Sequence, residues 1–182
     1  MRNSVEITRG YQFRYMILRH FIAIGSILLF EWVLFVFFAM PVVKYILSGG
    51  CTLAYGGIIY SAASKLAKFD KKPYTPLKPE RKWGVLWGLA ISAIFGICMI
   101  LYYCSQFVPS VGGWLVLLFY LMTGPYFGFL IDAGGVIPVY VAALMLGLPV
   151  LACTLGYIAG SSHFVLAEKL DDLTFEKNED EE

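Results

Sequence analysis

Five apolar stretches stand out along the chain, separated by short polar clusters. They are residues 21–40, broken only by Glu31 and ended by Pro41; 45–64 and 84–107, both uncharged; 113–131, interrupted at Gly124-Pro125; and 136–162, with Pro138 in its first turn and Pro149 near its middle. A membrane-crossing helix needs about 20 predominantly apolar residues, and a helix satisfies its own backbone where water is absent. The pattern therefore predicts an all-α, polytopic integral membrane bundle of about five membrane helices. The fourth stretch leaves two arrangements open. If it crosses fully, the turn at 132–135 lies on the side of the 65–82 cluster and the C-terminal tail lies opposite. If it enters and returns at Gly124-Pro125, the tail faces that cluster. Five full crossings are the expectation, with a re-entrant fourth segment as the alternative.

The polar clusters carry charge of one sign each. Residues 1–20 hold Arg2, Arg9, Arg14 and Arg19 against Glu6; residues 65–82 hold seven cations against Asp70 and Glu80; and the tail from Glu168 holds eight acids against Lys169 and Lys177. The net charge of +1 hides this separation. Short loops rich in Lys and Arg stay in the cytoplasm. The expected organisation is a basic cytoplasmic N-terminal segment at 1–20, a transmembrane domain at 21–165 with a basic cytoplasmic loop at 65–83, and an acidic tail at 166–182. The opposite loops agree, since Lys44 is alone in the first and 105–113 has no cation. The basic loop is first a topology marker. It also suits anionic lipid headgroups, at about 1 kcal/mol per cation near the surface. Pro73, Pro76 and Pro79 recur every third residue, as along one edge of a polyproline II helix, and read as a stiff spacer with Pro79 in the first turn of the third helix. No nucleic-acid recognition fold is visible.

With 182 residues, 59% of them hydrophobic and 15% charged, and a mean hydropathy of +0.71, the chain is far more apolar than a soluble domain. The length allows one domain, so function belongs to the bundle and its short loops. Cys51, Cys98, Cys104 and Cys153 all lie within apolar runs, without C-x-x-C spacing or a neighbouring His. They read as small apolar side chains and not as a metal or disulfide framework. The first apolar run is longer than a signal-peptide core and reads as an uncleaved span.

Glu31, in "ILLFEWVLF", is the residue that asks for an explanation. An acid inside a span costs about 2.5–3.5 kcal/mol on insertion scales, so it should face the bundle interior and stand neutral unless a cation lies close. Arg19 and Lys44 are each about 18 Å away along a helix. Thr52, Tyr55, Tyr60, Ser92 and Thr123 are candidate partners by approximate depth. Glu31 is the ligand- or ion-coupling candidate. Ala152, Gly156 and Gly160 form a small-xxx-small face for close helix packing, and Gly50, Ala54, Gly57, Ser61 and Ser64 form a similar stripe in the second span. Either face could equally serve a membrane protein partner or a homo-oligomer. The breaks at Pro125 and Pro149 fall in consecutive helices and read as shape-makers. His20 and His163 lie near predicted span ends, in the interfacial region. No H-E-x-x-H, G-x-S-x-G or phosphate-cradling loop is present. No catalytic residue, metal or cofactor is expected.

The Lys-rich loop "KFDKKPYTPLKPERKWG", the Gly-rich third span "GVLWGLAISAIFG" and the closing "LPVLACTLGYIAG" resemble small multi-pass membrane proteins of Gram-positive Firmicutes. The resemblance covers about residues 55–170, and it implies membrane residence without an agreed activity. The acidic tail departs from the basic ending of that group. The functional expectation is a non-enzymatic accessory or interaction subunit of the cell membrane, N-terminus in the cytoplasm. The alternative is a small-molecule binding or transport protein, similar in size and apolar character to the substrate-binding subunits of vitamin-uptake transporters.

Overall fold

The computed structural model describes residues 8–34, 36–37, 40–72, 77–131 and 136–162. Arg2, Glu6, Pro73, Pro76, Asp132, His163 and the acidic tail lie outside them. The elements are α1 (Arg9–Val33), α2 (Pro41–Asp70), α3 (Lys82–Ser105), α4 (Pro109–Met122), a 3-10 turn (Gly124–Tyr126), α5 (Phe127–Leu130) and α6 (Val139–Ser161). No strand occurs among the described residues. Helices α1, α2, α3 and α6 are each long and apolar enough to cross a membrane.

Two boundaries depart from the hydropathy reading. The first helix begins twelve residues before the expected residue 21 and stops at Val33 instead of Met40. Pro41 holds Met40 extended and opens the second helix. At the other end, Arg9 and Gln12 are drawn into the helix because their polar ends find partners, described below. The second helix runs through Lys65 and Lys68 to Asp70, so about a third of the expected loop is part of it. Pro79 stands ahead of α3 instead of in its first turn, where Arg9 holds the neighbouring Lys78 carbonyl.

The fourth stretch does not cross. Helix α4 has 14 residues, about 21 Å at 1.5 Å per residue, against a hydrocarbon core of about 30 Å. The chain then bends by 80° at the Gly124 break. The direction of α6 shows the result. Its start lies by the end of α3, where the Ile137 amide donates to the Tyr103 hydroxyl at 3.3 Å. Its end lies by the start of α3, where Gly84 faces Cys153 and Tyr157. Helix α6 therefore runs antiparallel to α3 and parallel to α2. The fold is four crossings plus a re-entrant segment, the second of the two arrangements open from sequence, and not five full crossings.

Helix α6 packs between α2 and α3, and glycine sets both distances. A Cβ on Gly156 would lie 2.3 Å from the Tyr60 carbonyl oxygen of α2, and one on Gly160 2.3 Å from that of Ser64. On the other side, a Cβ on Gly88 of α3 would lie 2.5 Å from Cα of Val150. Only hydrogen side chains permit such backbone contact. Ala152 is buried in the same helix. The stripe in α2 behaves differently: Gly50 and Gly57 would meet nothing within 4 Å.

Near each proline break a hydroxyl donates to a backbone carbonyl. Pro149 removes a donor inside α6, and Ser92 donates to the nearby Leu146 carbonyl at 2.6 Å. At the re-entrant turn, Thr52 donates to the Pro125 carbonyl at 2.7 Å and Thr123 to that of Phe119 at 2.8 Å.

Gly156→Ala should lower stability by about 1–3 kcal/mol through overpacking, whereas Gly57→Ala, into open space, should leave it unchanged or raise it; thermal unfolding in one detergent compares the two. Reporters fused before Thr8 and after Ser162 should register the same compartment. Opposite compartments would mean that the fourth segment crosses.

Candidate functional site

The polar residues gather in three places along α1, whose inward face carries Gln12, Met16, His20, Ala23, Ile24, Ile27 and Glu31 at helical spacing. The first place is the end of the bundle that carries the basic cluster. Asp70, at the last residue of α2, is 2% exposed. Its Oδ2 accepts from Arg9 Nη1 at 2.5 Å and from the Tyr157 hydroxyl at 2.7 Å, and its Oδ1 accepts from the Gln12 amide at 2.5 Å. Arg9 also donates to Gln12 Oε1 and to the Lys78 carbonyl, and its guanidinium lies 4.7 Å from the Trp83 ring centroid. One carboxylate thus ties α1, α2, α6 and the entry to α3. Nearby, Lys71 donates to the Ser162 carbonyl at 3.0 Å, placing a cation at the C-terminal end of α6.

Sequence reasoning missed this cluster. Asp70 reads as one acid in a cationic loop, and Gln12 as one polar residue before the first span. The available clue is that Asp70 lies one helical turn past Leu66 and Ala67, which are buried apolar residues of α2.

The second place is the middle of the bundle. His20 is fully buried, not interfacial, because α1 starts at Arg9 and so puts His20 at its centre. Its Nδ1 lies 2.8 Å from the Tyr55 hydroxyl. Phe95 and Tyr126 close the group with edge-to-face ring contacts. Among the described residues, Nε2 of His20 and the Tyr126 hydroxyl have no hydrogen-bond partner.

The third place surrounds Glu31. It stands in the last turn of α1, not at mid-helix, yet it faces Cys51, well inside the uncharged run of α2. It is 5% exposed; its carboxyl meets the Cys51 thiol, and Oε1 finds no partner among the described residues. The re-entrant turn closes one side: a Cβ on Gly124 would lie 2.8 Å from Leu28 Cδ2 and 3.8 Å from Glu31 Oε2. The sequence-predicted acid and the Pro125 break are therefore neighbours, while Pro149 is not among these contacts. Thr52, Ser92 and Thr123 give their hydroxyls to backbone carbonyls, and Tyr55 pairs with His20.

Beside Glu31 a cavity of about 490 Å³ opens sideways between α1 and the re-entrant segment. Gly25, Leu28, Trp32, Leu117, Leu121 and Phe127 supply most of its wall, with Glu31 as its single acid. Its size falls within the range of small-molecule sites. Among the described residues no cluster of His, Cys, Asp or Glu could hold a metal ion.

Removing one partner from a buried ion pair is expensive, about 3–5 kcal/mol, so Asp70→Ala should destabilise by roughly that amount. Tyr157→Phe should cost about 1 kcal/mol. Because they share one carboxylate, the double variant should fall short of the sum, which equilibrium unfolding in micelles would measure. Comparison of the chain with protein families, with curated proteins and with solved structures finds no match.

Proposed function

We propose that this multi-pass membrane protein is a binding protein, not a catalyst, and that it holds an apolar or amphipathic small molecule in the lateral cavity between α1 and the re-entrant segment. The single observation that carries this reading is Glu31: a buried acid with one oxygen unpartnered among the described residues, on the wall of an otherwise apolar cavity. Such a carboxyl suits a ligand that carries a hydrogen-bond donor or a cationic group. The rest of the ligand would be apolar, entering from the lipid and not from water. The basic end of the bundle would face the cytoplasm of a cell membrane, against anionic headgroups.

An accessory or interaction subunit is the second reading. A partner helix would need a small-residue face; Gly156 and Gly160 are taken up against α2, which leaves the open stripe at Gly50 and Gly57 as the face for one. The Glu31 oxygen without a partner among the described residues favours the ligand-binding reading.

The test is native mass spectrometry of the protein released gently from its own membrane. The wild type should retain a small molecule of a few hundred daltons. Glu31→Gln, which keeps the shape, should bind it about 10- to 100-fold more weakly, the worth of a hydrogen bond to a charged or strongly polar group. Leu121→Trp, which fills the cavity, should lose it. A stoichiometric protein partner without any ligand would overturn the reading in favour of the accessory subunit.

A further inference from the structure

The opposite flank of α1 holds a second opening that Glu31 does not line. Between α1 and α2 lie two cavities, about 310 Å³ and about 550 Å³. Both are lined by Ala54 and Ile58, so they form one groove. The α2 stripe is its floor: Gly50 and Gly57 have open space where a side chain would begin, and Ala54 and Ser61 are exposed. The smaller cavity carries Tyr15, Arg19, Ser61 and Lys65; the larger is walled chiefly by Ile27, Phe30, Ile46 and Leu47. The groove is polar and cationic at one end only, and that end is the basic end of the bundle.

We propose that this groove is a specific site for one anionic phospholipid. Its phosphate would sit between Arg19 and Lys65, and one acyl chain would run along the glycine floor. The charges fit. Among the described residues, neither cation forms an ion pair. Arg19 donates through Nε to the Tyr15 hydroxyl at 3.0 Å, which holds the guanidinium at the groove while its terminal N–H groups face outward from that bond. A guanidinium so held suits phosphate oxygens. The length fits as well: from Ser61 to Ile46 the floor extends about 22 Å along α2, more than the ~15 Å that half of a bilayer core provides. A lipid tail can lie wholly within it. The site rests on the membrane placement proposed above but is independent of the Glu31 cavity.

The experiment is competition between lipids. The full chain is placed in bilayer discs of phosphatidylcholine containing one part in ten of phosphatidylglycerol, and the lipids it retains on release are identified by native mass spectrometry. Wild type should keep one lipid per chain and prefer phosphatidylglycerol to phosphatidylcholine about 25-fold, at about fivefold for each cation, so that roughly three chains in four carry phosphatidylglycerol from this mixture. Arg19→Gln with Lys65→Gln should remove that enrichment. Gly57→Leu, with both charges intact, should remove the retained lipid, while Lys68→Gln and Glu31→Gln should leave it. Equal retention of both lipids by the wild type, or an enrichment indifferent to the double substitution, would overturn the site. So would a dimer free of lipid, which would make a second copy the occupant.

Discussion

Everything at the basic end of this molecule depends on one carboxylate being buried with its donors in place. Asp70 ends α2 and is buried among the helices at the basic end of the bundle, where an unpaired charge would be costly. The chain meets that demand from three directions: Arg9 and Gln12 from α1, Tyr157 from α6, and the ring of Trp83 behind the guanidinium. Satisfying one acid therefore sets the register of four helices at once. It also explains why α1 starts where it does. A helix beginning at residue 21 could not bring a cation or an amide to Asp70.

Helix α1 packs against its neighbours less closely than α6 does. Openings flank it on both sides, one against α2 and one against the re-entrant segment. Helix α6, by contrast, is held by backbone-to-backbone approach on two faces. The molecule thus divides into a tight α2–α3–α6 unit and a more loosely seated α1. Both proposed ligand sites fall along the seams of α1, where side-chain packing is incomplete.

Hydropathy made the helices legible, because each crossing must bury about 20 apolar residues. It placed their ends poorly, because the ends answer to polar partners distant in sequence, such as Arg9 with Asp70, 61 positions apart. The two small-residue stripes look alike as strings of Gly, Ala and Ser. One lies against backbone and the other opens on space, a difference that depends on which helix arrives beside each. Glu31 was legible as an anomaly. Its setting was not, since the Gly124 turn that closes over it belongs to a segment whose bend no periodicity reveals. Of the hydroxyls offered as its partners, those of Thr52, Ser92 and Thr123 go to backbone carbonyls and that of Tyr55 to His20.

The glycine contacts of α6 also impose an order on assembly. Tyr60 and Ser64 of α2 and Gly88 of α3 are all synthesised before the helix that covers them. Until α6 arrives, the hairpin of α2 and α3 has no close-packed interface, and Asp70 lacks its tyrosine. Chains still being made would then present an open seam to the lipid, and the bundle would close late, when its last crossing enters between two helices already made.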